Sequence, residues 1–137
     1  MIAAFGAQCT FWGMFALAVA LTILLLLETL PSAIAGLARS RAGLTRLDGL
    51  TRLGLLEGRS LWVVPVLGAI HLAGSAAVIA GLWAGPAGVA GAAVEAAVFG
   101  WVLSRQLLAG DRGRALGAYS LFSVMAVAVL VVDGARL

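Results

Sequence analysis

Four apolar stretches occupy most of this chain: Phe11–Leu27, Leu61–Trp83, Ala87–Leu103 and Ala115–Val132. A helix needs roughly 20 apolar residues to cross a bilayer, and each stretch comes close to that. The chain has 137 residues, is 63% hydrophobic and 11% charged, and has a mean hydropathy of +1.10. A soluble domain of this length has too little interior to hide so much apolar surface. Inside lipid every backbone N–H and C=O must be satisfied, so a span is a helix or part of a closed barrel. Barrel strands would alternate apolar and polar residues, whereas these stretches are apolar on every side. The expected fold is therefore all-α. We expect one integral membrane domain over 1–137, an antiparallel bundle of four transmembrane helices at about 10–30, 61–83, 87–108 and 115–133. The only sizeable connection, 38–60, leaves no room for a soluble catalytic domain.

The charge pattern orients the bundle. Every basic side chain is Arg. Arg39, Arg41, Arg46, Arg52 and Arg59 lie between the first and second spans, and Arg105, Arg112 and Arg114 between the third and fourth. The other side of the membrane has only Arg136, close to Asp133. Basic loops stay in the cytoplasm, so both termini and the turn Ala84-Gly85-Pro86 are expected outside. This placement accounts for the net charge of +3 and leaves no nucleic-acid footprint. A single cysteine, Cys9, excludes an internal disulfide, and Gln8 before it does not suit a lipoprotein signal. With no basic leader and no small-residue cleavage site, the first span is expected to be retained.

Pro31 should kink or end the first helix. The 38–60 connection repeats itself: Gly43-Leu44-Thr45-Arg46-Leu47-Asp48, then Gly49-Leu50-Thr51-Arg52-Leu53-Gly54. Its leucines recur every third residue, a spacing that drifts around a helix. The segment is expected at the headgroup level, Leu down and Arg toward anionic lipid, with a protein-docking surface as the alternative. Trp12, Trp62 and Trp83 fall near the interfaces as belt anchors, and Trp101 deeper as a packing residue. Small residues form two ridges at helical spacing, Ala69-Ala73-Ala77-Gly81 in the second span and Gly88-Ala92-Ala96-Gly100 in the third. Such ridges allow close backbone approach in lipid, so these spans should form a tight hairpin.

Ionisable groups inside a membrane are costly and need a reason. His71 and Glu95 lie near the middle of the second and third spans. Counted from the hairpin turn they are about eleven and about nine residues deep, a difference of roughly 3 Å at ~1.5 Å per residue. Depth allows them to pair. Azimuth leaves the pairing open, because His71 falls opposite the alanine ridge, on a face with Gly74 and Ser75. The pair reads as a polar clasp fixing helix register, as a ligand or quinone contact, or as a proton relay. A lone His would need a second copy or another subunit to hold haem between two histidines. Glu28 and Arg105 lie at one level near the cytoplasmic edge and are expected as a structural polar pair joining the first and third spans, with snorkelling of Arg105 to the interface as the alternative. There is no phosphate loop, no nucleophile–base set and no Cys/His cluster for a metal.

Pro65-Val66-Leu67-Gly68, then Leu72-Ala73-Gly74-Ser75-Ala76-Ala77, then Gly81-Leu82 before a Gly/Pro turn, precede a Gly/Ala-rich span ending in Leu108-Ala109-Gly110-Asp111-Arg112. This order, over about half the chain (Pro65–Leu130), resembles the DoxX-like family of small four-helix bacterial membrane proteins. The first span departs from the family in lacking its Arg-led start and Lys-ended exit. The resemblance implies a place in the bacterial inner membrane and a link to membrane redox systems, as a small quinone-linked subunit or as an accessory protein. The role expected is a non-catalytic accessory subunit of a larger membrane complex, respiratory or oxidoreductase. Its partners would be membrane lipids and other membrane subunits, not nucleic acid. No cofactor is assigned from the sequence; a quinone or a lipid is the ligand class that His71 and Glu95 could take. The alternatives are a small oligomeric proton-coupled transporter built on the same two residues, or a quinone- or cofactor-binding oxidoreductase subunit.

Overall fold

The computed structural model describes the backbone from Ile2 to Leu137 and the side chains from Phe11 onward, so the expectation for Cys9 lies outside the described residues. It contains five helices: α1 (Ile2–Leu37), α2 (Arg41–Thr51), α3 (Val63–Ala80), α4 (Gly85–Leu108) and α5 (Arg114–Gly134). No strand occurs among the described residues. Four helices, α1, α3, α4 and α5, are long and apolar enough to cross a membrane, and the chain is a multi-pass membrane protein. α1 packs on α3, α3 on α4 and α4 on α5, and α5 closes back on α1. The short α2 lies across one end of this bundle. The α3–α4 turn marks the other end.

α1 does not end at Pro31 but runs on to Leu37. A proline inside a spanning helix is tolerated where neighbouring helices hold the segment, and α3 does so here. A Cβ on Gly68 would meet Leu37 N at 2.8 Å and Ala33 O at 2.9 Å, so the two backbones touch just beyond the proline. The chain then breaks at Arg39, which is left-handed (φ 47°), and Ser40 caps α2 by accepting from Gly43 N at 3.1 Å. Arg52, also left-handed, closes α2. Leu50 is buried and Leu47 packs beside it in the bundle core, while Arg41, Arg46 and Arg52 stay exposed. These leucines therefore face protein. The expected leucine-down contact with lipid is not what holds α2.

The α3–α4 hairpin is close at its turn end, but along a different line from the expected one. Ala69 and Ala73 are exposed and Ala77 is half-buried; only Gly81 of that ridge is buried. The buried face of α3 instead carries Gly68, His71, Gly74, Ser75 and Val78. On α4, Gly88 and Ala92 are buried, Ala96 and Gly100 are half-buried, and Gly100 has nothing within reach of a Cβ. The contact runs through Gly91 instead, whose Cβ would lie 2.6 Å from Val78 N and 2.7 Å from Gly74 O. Gly81 and Gly88 meet backbone to backbone nearer the turn. The interface is rotated because polar side chains must face protein in lipid. Turning His71 and Ser75 inward sends the alanine ridge outward, where an alanine surface against lipid costs nothing.

Candidate functional site

His71 and Glu95 meet in the middle of the bundle. His71 Nδ1 lies 2.5 Å from Glu95 Oε2, and the Glu95 side chain is fully buried. The carboxylate fits because α3 has no side chain at position 74: a Cβ there would be 2.6 Å from Glu95 Oε1. The Ser75 hydroxyl donates to Thr29 Oγ1 at 2.8 Å, with Glu95 Oε1 at 3.4 Å from the same oxygen. A polar chain thus runs from α1 through α3 to α4, through four side chains, each under 10% exposed. Thr29 and Ser75 are the members that the sequence does not single out as site residues. Ser75 stands one helical turn from His71, and that spacing is the signal that could have found it.

Nδ1 is engaged with the carboxylate, so the free edge of the imidazole is the Nε2 side, a hydrogen-bond donor in the tautomer that carries its proton there. Among the described residues, no hydrogen bond is made to Nε2.

That nitrogen belongs to a residue lining a cavity of about 280 Å³ at the α2 end of the bundle. The buried His71 and Phe99 line it from within the bundle, and the exposed Pro31 and Arg46 flank its mouth. The Phe99 ring lies 5.2 Å from the His71 ring and 6.3 Å from that of Tyr119, centroid to centroid, which holds the imidazole in an aromatic wall. At the mouth, Arg46 donates to Glu28 Oε1 at 3.2 Å, and its guanidinium carbon lies 5.8 Å from the Tyr119 ring centroid. The cation–π geometry adds a modest attraction. Glu28 is therefore paired through α2 and not with Arg105. Arg105 is half-buried, and its Nε has no partner among the described residues. The expected α1–α4 ion pair is replaced by an α1–α2 pair because α2 folds back over the end of α1.

A second polar cluster fastens the opposite end. Asp133 accepts from Arg136 at 3.0 Å, and Arg136 also donates to Leu82 O at 3.2 Å in the α3–α4 turn. Its carboxylate abuts the backbone of Gly88, so this cluster locks α5 to the hairpin. No group of three or more metal-ligating side chains occurs among the described residues. No protein-family model matches this chain, and no curated protein or solved structure matches it.

Proposed function

We propose that this protein binds the neutral, carbonyl-bearing head of a membrane-dissolved molecule, of the quinone class, in the cavity between the helices. The observation that carries the reading is the His71–Glu95 contact at 2.5 Å, which occupies Nδ1 of a cavity-lining imidazole and leaves its second nitrogen without a hydrogen-bond partner among the described residues. The cavity holds about 280 Å³, just below the range for small-molecule sites, ~300–1,000 Å³. That suits one ring and not a whole amphiphile. The Arg46 that lines the cavity is already matched by Glu28, and a carboxylate lies behind His71, so no unpaired cation awaits a phosphate and a neutral carbonyl oxygen is favoured. Phe99 and Tyr119 contribute aromatic surface to the cavity lining.

In this reading the chain is a non-catalytic binding subunit of a larger respiratory or oxidoreductase complex in the bacterial inner membrane. The arginine-bearing connections would face the cytoplasm and both termini the outside, by the positive-inside rule. Kinship with DoxX-like proteins, drawn from Pro65–Leu130, is part of the same proposal. The cavity would then open near the cytoplasmic surface, beneath α2.

Equilibrium binding of a tail-less benzoquinone to the protein in lipid nanodiscs tests the reading. We expect saturable binding that falls at least about tenfold, or ~1.4 kcal/mol, in His71→Phe and in Glu95→Leu. Saturable binding that survives both substitutions, or none in the wild type, overturns it.

A further inference from the structure

A head bound in so small a cavity must send its hydrocarbon tail elsewhere. We propose that the tail leaves between α3 and α4 and lies in the apolar groove on their outer face, with Leu67 as the sill between cavity and groove. The proposal rests on the headgroup reading above.

The groove has a volume of about 460 Å³ and is bordered by Trp62 and Trp101, with Val66, Ile70, Val94 and Ala97 between them. Among the described residues, Leu67 alone lines both spaces. Around it neighbouring side chains divide between the two spaces. Val63 faces the groove and Val64 the cavity; Val98 and Trp101 face the groove, and Phe99 and Val102 the cavity. The glycine contacts that clamp α3 to α4, at Gly74–Gly91 and Gly81–Gly88, all lie on the turn side of Leu67. Toward α2 no glycine contact joins these two helices among the described residues. The cavity's other opening is flanked by the charged Arg46, a poor exit for a hydrocarbon chain.

Lipid tails are as apolar as the groove, so the ligand's tail gains little by lying there. The effect of the groove is steric: it decides whether a tailed molecule can seat its head at all. The chemical class implied is a prenyl- or alkyl-substituted ring.

The test compares decyl-tailed benzoquinone with its tail-less parent in nanodiscs, using Ala97→Trp and Val66→Trp. Both positions are exposed on the groove side and do not line the cavity, so neither variant disturbs the headgroup site. Each should weaken the tailed ligand about tenfold while leaving the parent within about twofold. Two variants guard against one that assembles poorly. Unchanged affinity for the tailed ligand in both, or equal losses for both ligands, overturns the groove proposal alone. Loss of the parent's dependence on His71 overturns the headgroup reading and the groove with it.

Discussion

Glu95 stands where a side chain at position 74 would be: a Cβ on Gly74 would come within 2.6 Å of Glu95 Oε1 and 3.0 Å of its Cδ. The carboxylate is at the end of a side chain that has nowhere to go, because the position is fully buried. Gly74 is thus the slot into which α4 delivers its acid.

Gly74→Ala should therefore push Glu95 off His71. Overpacking of a buried contact costs about 1–3 kcal/mol. A fall in thermal stability in detergent, together with loss of benzoquinone binding, is expected. Gly100→Ala, where a Cβ meets nothing within 4 Å, is the control and should change neither. Equal behaviour of the two variants would refute the slot.

The His71–Glu95 pair should reveal itself through non-additivity. Removing one partner leaves the other buried and unsatisfied, at a cost of about 1–3 kcal/mol, whereas replacing both by apolar groups of similar shape is nearly neutral. Glu95→Leu and His71→Phe should each destabilise the bundle, and the double variant should be more stable than either single one. A double variant as unstable as the sum would mean the two side chains act independently.

The two arginine pairs should differ by their burial. Arg46 is 56% exposed, so Arg46→Ala should cost less than about 1 kcal/mol, and the loss should shrink with added salt. Arg136 and Asp133 are 15% and 2% exposed, and Arg136→Ala strands a buried carboxylate, at a cost of about 1–3 kcal/mol that salt does not relieve. Unfolding followed by circular dichroism at low and high salt separates the cases. Equal salt sensitivity would contradict the difference in burial.

The spans are legible in the sequence because apolar length is a one-dimensional property. So is the common depth of His71 and Glu95, which needs only counting along two helices. Azimuth is harder. In water an apolar ridge points inward, but lipid accepts Ala69 and Ala73 as readily as a neighbouring helix does. The polar residues are the better guide to the buried face. His71 with Ser75, one turn apart, marks it more truly than the alanines. Glu28 is a different failure. Counting depth along the spans proposes Arg105 as its partner, but Arg46 arrives from the connection, whose fold back over α1 depends on the break at Arg39 and the cap at Ser40. Thr29 stands two turns from Thr22 on the buried face of α1, a spacing that marks the face but not the partner, which only the bond to Ser75 identifies.

The order of His71 and Glu95 along the chain bears on how the protein is made. α4 is the least apolar of the spanning helices, and it carries the buried acid. A carboxylate alone at the centre of a helix raises its insertion cost by about 2.5–3.5 kcal/mol. α3 is synthesised first, so the imidazole is already in the bilayer when the acid emerges. Glu95 enters beside a waiting partner, and the hairpin, more than the single helix, is the unit that the insertion machinery has to accept.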